Sequence, residues 1–381
     1  MTGHVAIVLH EGHVGGATNA VLRPLAALEA QGWSFCFWAP RPSAVADLLE
    51  ARGHAVAGEQ RDLRYSWAAL QEPPGPLART ASVPGYLQAF RRFLARAQPD
   101  LVHANTILTI PEALAARAGG RPTLLHVHEM LGGAGRRNRA ALLLAGRVDG
   151  VVAVSQACAA PLRAAGVRTG IVTAGVDPGP ARRAPRRERK VVVGMLGTVC
   201  ERKGSDVFVD AARATLATRS DVEFRIVGPL APGAEEAWAR AVVARGERAG
   251  VRWKGSTADA AVELATWDVF VLPTRRDPFP LVVLEAMAAG LPVVATAVDG
   301  VPEQVDEACA TLVAPDDAPA LAGAIERLAG DARARLALGR AGADRAATHF
   351  TPARNSRELA TAYEWVLATG SLRNGARRPL P

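Results

Sequence analysis

The chain has 381 residues, which is too many for one compact core and suits two domains of ordinary size. Hydrophobic residues make up 49% of it and charged residues 22%, a balance typical of a globular protein and not of a disordered one. The formal net charge of +8 favours anionic partners such as nucleotides, nucleic acid or lipid headgroups. Only three of the 45 basic residues are lysines, however, and this arginine bias indicates a G+C-rich genome more than a function.

Cysteine spacing and hydropathy exclude several classes of protein. The four cysteines are far apart and form no CxxC pair, so we expect reduced, buried thiols rather than disulfides or a zinc site. The N-terminal MTGHVAIVLHEGH has a short apolar run without a basic leader, which predicts a buried strand and no signal peptide. No apolar run approaches the roughly 18 residues of a membrane span. The sequence therefore predicts a cytoplasmic protein, with peripheral contact at the inner face of an anionic membrane left open by its charge.

Short apolar runs alternate with amphipathic helical patterns through the first half of the chain. Strands are predicted at HVAIVL, SFCFWA, DLVHA, TLLHVH, GVVAVS and GIVTA. The stretches ATNAVLRPLAALEAQG and VPGYLQAFRRFLARAQP between them carry Leu and Phe at helical spacing. This alternation predicts a parallel sheet covered by helices on both faces, in an N-terminal domain of residues 1–177.

A break at DPGPARRAPRRERK divides the two halves. Its proline, glycine and basic residues predict an exposed linker over 178–190, with lipid or phosphate binding as the alternative. The alternation restarts with KVVVGMLG and continues through VEFRIVG, VRWKG, WDVFVLP and LPVVATA, which predicts a second doubly wound domain over 191–352. A last helix over 353–368 is expected to pack back on the first domain, ahead of a disordered tail over 369–381.

Two strand-to-helix turns are candidate phosphate sites. Gly15 and Gly16 follow the first strand, where backbone amides can approach a phosphate or sugar without an intervening Cβ atom. Ordinary turn formation is the alternative. In the second half Arg202 and Lys203 stand just before a helix predicted to begin at residue 205 or 206. The positive end of that helix and two cations would converge on an anion such as a diphosphate, unless the pair is merely solvated.

The segment LLHVHEM places two histidines at the end of a predicted strand. His126 and His128 are two residues apart, so both point to the same side. With Glu129 beside them a metal site must be considered, but two histidines and one carboxylate are a weak signal. Capping of local backbone groups is the other interpretation. His128 is kept as a candidate because such folds bind ligands at the carboxyl ends of their strands.

The stretch DPFPLVVLE carries two acidic residues in different settings. Its two prolines predict a loop, and LVVLEAMAAG predicts a helix that ends at glycine. Asp277 then lies on the loop and Glu285 on the helix, where its carboxylate can accept the hydroxyls of a ribose. Asp277 also fits an acid favoured by the helix dipole. The amides of Leu281 and Val282 are expected to point into the same cleft.

Taken together, these segments resemble the nucleotide-sugar-dependent retaining glycosyltransferases of family 4. The run over 277–303, with D-x7-E, GLPVVAT and DGVPE, is similar to the family's C-terminal signature, which begins E-x7-E. The pairs GG at 15–16 and KG at 203–204, with RGHAV, PDLVHAN, HVHE, VVAVS, AGVD and WDVFVLP, extend the resemblance over nearly the whole chain. It implies the GT-B fold: two Rossmann-like doubly wound parallel-sheet domains that face each other across a cleft. The first would bind the acceptor and the second the nucleotide sugar.

The resemblance also implies a role for each candidate residue. Gly16 would lie against the donor diphosphate or sugar, His128 would contact the donor sugar, and the two cations would neutralise the leaving group. Asp277 stands where the family's first Glu approaches the transferred sugar, and Glu285 where the second holds the ribose. The implied catalytic residues are His128, Arg202, Lys203 and Asp277. The implied donor-binding residues are Gly15, Gly16, Thr198, Arg202, Lys203, Asp277, Phe279, Pro280, Leu281, Val282 and Glu285.

Four departures from the family pattern bear on the donor sugar. Thr198 replaces an arginine and removes one expected phosphate contact, so Arg202 would provide more of the contact with the phosphate. Asp277 shortens the first Glu, the loop EGFG becomes DPFP, and the turn PNGVD becomes TAGVD. These changes affect the identity of the sugar more than the class of reaction.

The implied reaction is that of a hexosyltransferase. A hexose-type sugar would move from a UDP, GDP or dTDP sugar to an acceptor hydroxyl with retention, without a tightly bound cofactor or a required metal. A glycan precursor, a lipid-linked sugar or a secondary-metabolite aglycone would be the acceptor, contacted in the first domain, whose variable part spans 58–84. A nucleotide-sugar epimerase and a non-catalytic nucleotide-sugar-binding or partner subunit are the alternatives. Nucleic-acid binding is not expected, because the charge comes without clustered aromatic residues.

Overall fold

The computed structural model describes residues 2–59, 83–132, 135–179, 190–257 and 259–370. Most of the predicted linker, most of the variable segment over 58–84 and the end of the tail lie outside these residues. The chain divides into two compact units. Unit 1 comprises Met1–Gly175 with Pro352–Pro381, and unit 2 comprises Val176–Thr351.

Unit 1 is built on a parallel sheet of seven described strands in the order β3-β2-β1-β4-β5-β6-β7. The strands are β1 His4–Val8, β2 Ser34–Trp38, β3 Ala55–Ala57, β4 Leu101–Asn105, β5 Thr123–Val127, β6 Gly150–Ala153 and β7 Gly170–Ile171. The helices before unit 2 are α1 Gly16–Leu22, α2 Leu25–Glu29, α3 Ala44–Ala51, α4 Val83–Ala97, α5 Ile110–Ala118, α6 Arg136–Ala145 and α7 Gln156–Ala164.

Both faces of this sheet are covered, as the mostly apolar runs of its strands predict. Successive residues of β1 belong to different hydrophobic clusters: Val5 and Ile7 pack with α2, and Ala6 and Val8 pack with α4. The predicted helix ATNAVLRPLAALEAQG is divided into α1 and α2, because Pro24 has no amide to continue the hydrogen-bond ladder.

Unit 2 contains a parallel sheet of six described strands in the order β10-β9-β8-β11-β12-β13. The strands are β8 Val191–Leu196, β9 Val222–Val227, β10 Val251–Trp253, β11 Val269–Leu272, β12 Val293–Thr296 and β13 Ala310–Val313. The helices are α8 Ser205–Thr218, α9 Glu236–Arg248, α10 Ala260–Leu264, α11 Leu281–Ala288, α12 Val301–Gln304, α13 Ala318–Gly330 and α14 Ala332–His349. Phe208 of α8 and Ile325 of α13 are fully buried in the core of this unit, with Val193 and Met195 of β8.

The last helix, α15 Pro352–Gly370, belongs to the core of unit 1. Tyr363 contacts Trp33 edge to face, with ring centroids 5.1 Å apart, and Val366 is fully buried. A Cβ atom on Gly150 would come within 2.6 Å of the Val366 side chain, so glycine on β6 permits the close approach of α15. None of the described helices is long and apolar enough to cross a membrane.

Candidate active site

The turn that carries Arg202 and Lys203 leads from β8 into α8. One turn of 3-10 helix over Glu201–Lys203 ends at Gly204, whose φ of 67° lies in the left-handed region. A Cβ atom on Gly204 would meet the Pro273 carbonyl oxygen at 1.9 Å, so only glycine fits here. The Arg275 amide donates to the Arg202 carbonyl at 2.8 Å. The turn is thereby fixed against the loop that follows the neighbouring strand, β11.

Asp277 lies at the centre of this arrangement. Its side chain is buried, with Lys203 Nζ 2.6 Å and Arg202 Nη1 3.6 Å from the same oxygen, Oδ2. The Asp277 amide donates to Asp299 Oδ2 at 2.9 Å, and the Gly300 amide donates to the Asp277 carbonyl at 3.1 Å. Two cations therefore converge on one buried carboxylate at the carboxyl ends of β8 and β11.

The start of α11 adds backbone donors beside this cluster. Pro280 is the N-cap and provides no side-chain cap, and its carbonyl accepts from Gln304 Nε2 at 3.0 Å. Leu281 and Val282 begin the helix, and amides at these positions have no acceptor within their own helix. Glu285 is half-buried one turn further along the same helix.

Phe279 and Thr198 complete the donor residues expected in unit 2. The Phe279 side chain is buried against Phe350, with ring centroids 5.9 Å apart, so the part of Phe279 suited to a ligand contact is its backbone. Thr198 is half-buried in the loop after β8, as its place in the sequence predicts.

A pocket that the sequence interpretation missed follows β9 and β10. It has a volume of about 410 Å³ and is lined by Pro229, Leu230, Ala231, Pro232, Glu236, Arg240, Trp253, Gly255 and Ser256. Trp253 Nε1 donates to the Gly228 carbonyl at 3.0 Å, and the Gly228 amide donates to the Gly255 carbonyl at 2.7 Å. The sequence signal for this pocket is the pair of glycine-containing turns VGP and KGS, which directly follow two predicted strands.

In unit 1 the loop after β1 is shaped by Glu11, whose carboxylate lies 2.9 Å from His10 Nε2 and 3.2 Å from His13 Nε2. Burial raises the pKa of Glu11, but the hydrogen bond with His10 and the charges of both histidines outweigh it and lower the pKa. A Cβ atom on Gly15 would meet Glu11 Oε2 at 2.8 Å, whereas one on Gly16 would meet nothing within 4 Å. A larger residue at position 15 would therefore displace the Glu11 carboxylate, whereas Gly16 leaves open space at the start of α1.

His128 lies just beyond β5, where Asn105 at the end of β4 holds it. Asn105 Nδ2 donates to the Ala17 carbonyl at 2.9 Å, so its Oδ1 faces His128 Nε2 at 2.8 Å and accepts the hydrogen bond. Nε2 therefore carries the proton, and Nδ1 of the neutral ring is an acceptor. Burial, and the charges that His126, His103 and His10 would carry, lower the pKa of His128 well below its usual range.

Of the two neighbours of His128, His126 packs against its ring and Glu129 has hydrogen-bond partners in the local backbone. The rings of His126 and His128 lie on the same side with centroids 4.2 Å apart, as their spacing predicts. Glu129 accepts from the amides of Ile107 and His128 at 3.1 and 3.0 Å, so it caps local backbone groups. Among the described residues no group of three or more His, Cys, Asp or Glu side chains is arranged to hold a metal ion. All four cysteines are free and buried.

Comparison with known proteins identifies the family. Residues 190–331 match the family model described as glycosyl transferases group 1, and residues 14–179 match the model described as Glycosyltransferase Family 4. The lipopolysaccharide core biosynthesis mannosyltransferase LpsB of Rhizobium meliloti is 34% identical over 186 residues, covering 47% of this chain and 52% of the relative. A D-inositol 3-phosphate glycosyltransferase of Jonesia denitrificans is 33% identical over 194 residues, covering 48% and 45%. The chain spans about half the length of the curated relatives it matches.

Solved structures share the fold over nearly the whole chain. The Anabaena protein Alr3699/HepE in complex with UDP and glucose has a TM-score of 0.78 at 23% identity, covering 94% of this chain and 99% of that chain. The sucrose-phosphate synthase of Thermosynechococcus elongatus has a TM-score of 0.77 at 23% identity, covering 96% and 99%. The two parallel-sheet units and these neighbours confirm the predicted GT-B fold, and the two family models together match most of the residues. The chain therefore belongs to the family 4-like glycosyltransferases.

Proposed function

We propose that this protein transfers a hexose-type sugar from a nucleoside-diphosphate sugar to an acceptor hydroxyl with retention of anomeric configuration. The observation that carries the proposal is the convergence of Lys203 and Arg202 on one point beside the first amides of α11. Cations and helix amides at the carboxyl ends of parallel strands form a site suited to a diphosphate. Membership of the glycosyltransferase family also supports glycosyl transfer as the reaction.

In this proposal the diphosphate displaces Asp277 from Lys203. An ammonium has three donors, of which Asp277 takes one, and the Arg202 side chain is 42% exposed. As the bond between sugar and phosphate breaks, negative charge grows on the leaving diphosphate. Donors fixed in place before the reaction stabilise that charge, an effect worth roughly 3 kcal/mol for each strong donor. A divalent metal is not needed for this step, so EDTA should leave the rate unchanged.

The nucleoside would lie along the same edge of unit 2. We assign the base to the pocket after β9 and β10, since the flat apolar side chains of Pro229 and Trp253 line it. Glu285 on α11 would accept the ribose hydroxyls, as the acidic residue of dinucleotide-binding folds does. The Anabaena protein of similar fold binds UDP, which supports a nucleoside-diphosphate donor.

Unit 1 would contribute His128 to the transferred sugar and Gly16 to the donor diphosphate or sugar. A neutral His128 offers Nδ1 as an acceptor for a sugar hydroxyl, and its protonated form could not accept that hydrogen bond. We assign the acceptor to the same unit. The named relatives are a lipopolysaccharide mannosyltransferase and an inositol-phosphate glycosyltransferase, so a glycan, a lipid-linked sugar or a small polyol is the expected acceptor class.

Donor binding and turnover test the proposal. Thermal shifts with UDP, GDP and dTDP sugars should identify one nucleotide that raises the melting temperature. Lys203→Ala and Glu285→Gln should each weaken its binding about tenfold or more. Lys190→Ala is the matched control, because Lys190 precedes β8 at the opposite edge of the sheet. Unchanged donor binding in Lys203→Ala would refute the diphosphate assignment.

Product analysis separates the remaining functions. Transfer requires an acceptor and yields a glycoside whose anomeric configuration, read by NMR, matches that of the donor. An epimerase would release nucleoside diphosphate without any acceptor. A non-catalytic member would bind the donor and release no nucleoside diphosphate. This alternative rests on Thr198 and Asp277, which stand where the family pattern has Arg and Glu.

A further inference from the structure

Helix α6 in unit 1 presents an outer face that combines exposed leucines with exposed arginines. Only Ala145 among its ten residues is buried. Leu143 is 73% exposed, which is the largest exposure of any large apolar side chain among the described residues, and Leu144 is 38% exposed. Leaving two adjacent leucines in water is unfavourable unless another surface covers them.

The same face of α6 is strongly basic. Arg136, Arg139 and Leu143 are spaced three and seven residues apart, which places them on one side of the helix, and all three are exposed. Arg147 just after the helix continues that side. In sequence, no acidic residue occurs between Glu129 and Asp149, whereas four arginines do, so this stretch carries a local charge of +4.

The inner face of α6 is held against the rest of unit 1, so its outer face has a fixed structure before any partner binds. Asn138 Nδ2 donates to the Gly132 carbonyl at 2.8 Å, which fixes the first turn of the helix to the preceding loop. Leu142 is half-buried and Ala145 fully buried on the same inner side. The helix starts shortly after His128, at the edge of the sheet where the β5 strand ends.

We infer that the outer face of α6 docks the protein on an anionic membrane surface. A bilayer interface offers an anionic layer above an apolar one, and a helix that mixes arginine with leucine on its outer face matches both layers. A partner that is only acidic would leave Leu143 in water, and one that is only apolar would offer no counter-charge to the exposed Arg136 and Arg147. The inference concerns binding alone and does not depend on glycosyl transfer.

Vesicle sedimentation of the purified full chain tests this inference. Binding to phosphatidylcholine vesicles with about a third phosphatidylglycerol is expected to exceed binding to pure phosphatidylcholine and to fall at high salt. The double variant Leu143→Gln and Leu144→Gln should lower the partition coefficient about tenfold or more. The double variant Arg136→Gln and Arg139→Gln should remove most of the preference for phosphatidylglycerol.

A matched control lies on α14. Leu336 is 44% exposed and Arg333 precedes it by three residues on that helix, so Arg333→Gln with Leu336→Gln removes the same side-chain types elsewhere. This control should bind vesicles as the wild type does. All variants change exposed residues, and an unchanged melting temperature checks that they fold. Equal binding to both vesicle types, wild-type binding by the α6 variants, or binding to soluble polyglutamate but not to vesicles would overturn the inference.

Discussion

Acid should destabilise unit 1 through His126, which is buried in β5 with only 1% of its surface exposed. Its ring lies between His103 and His128, with centroids 5.6 and 4.2 Å away. Burial lowers the pKa of His126 from 6.5 to about 4, because the charged imidazolium would lose its hydration. Replacing this ring by one that cannot take up a proton, as in His126→Phe, is therefore the informative perturbation.

The direction and the size of the stability change follow from the pKa values of His126 in the unfolded and the folded chain. As the pH falls below 6.5 the unfolded chain takes up a proton that the folded chain accepts only near pH 4. The contribution of the neutral ring is thus complete above pH 6.5 and is lost between pH 6.5 and pH 4. The full loss is about 3 kcal/mol, of which about 2 kcal/mol falls between pH 7.5 and pH 5.0.

The assay is urea unfolding at these two pH values, followed by hydrogen exchange of peptides from β4 and β5 so that unit 1 is read by itself. The wild type should lose about 2 kcal/mol more than His126→Phe on going from pH 7.5 to pH 5.0. His349→Gln, an exposed histidine of α14, controls for removal of a histidine as such. If His126→Phe loses as much stability as the wild type, the ring does not titrate as burial requires and the reasoning fails.

Three further changes have expected outcomes. Gly228→Ala should destabilise unit 2 by at least about 2 kcal/mol in urea, because φ is 149° there and the new Cβ would meet a carbonyl oxygen at 2.0 Å. Arg275→Lys removes the two parallel hydrogen bonds to Asp206, at 2.8 and 2.9 Å, and should lower the free energy of unfolding by about 1 kcal/mol. An unchanged free energy of unfolding would mean that solvent screens the ion pair. Asn105→Asp should raise the pKa of His128 and move the acidic limb of the kcat/KM profile upward by about one pH unit, and an unmoved limb would contradict the hydrogen bond.

The fold could be predicted from the sequence where strands are almost fully buried, since β1, β4 and β5 are short runs of mostly apolar residues. Two edge strands escaped prediction. β3 is three residues of AVA and β13 is four residues, and both are partly exposed, so neither shows a clear apolar pattern. Their place at the sheet edges is set by pairing with a neighbour, which a local pattern does not contain.

The candidate site was predicted in its positions but not in its pairings. The turn at Lys203 and the loop at Asp277 could each be placed after a strand, and the parallel order then brings β8 and β11 side by side. Their ion pair joins residues 74 positions apart, and the bond from Asn105 to Ala17 joins residues 88 positions apart. Only the strand order of the folded sheet creates such contacts.

One substitution in the Lys203–Asp277 pair, Asp277→Asn, should lower stability but strengthen binding of the nucleoside diphosphate. Asp277→Asn keeps the shape of the side chain but leaves Lys203, whose side chain is 13% exposed, without its counter-charge, which should cost about 3 kcal/mol. The same change removes the group that competes with a diphosphate for Lys203. UDP carries no transferred hexose for residue 277 to contact, so UDP should bind more tightly. Turnover should fall, because the transferred sugar loses the carboxylate.

Calorimetric titration with UDP, urea unfolding and product formation together test this reasoning on Asp277→Asn. Saturating UDP should restore much of the lost stability, because the diphosphate supplies the missing negative charge to Lys203. Asp299→Asn is the matched control, since Asp299 contacts the Asp277 amide and Arg276 but is not bonded to Lys203, so it should lower stability without tightening UDP binding. Weaker UDP binding by Asp277→Asn would mean that the carboxylate orients Lys203 toward the diphosphate rather than competing for it.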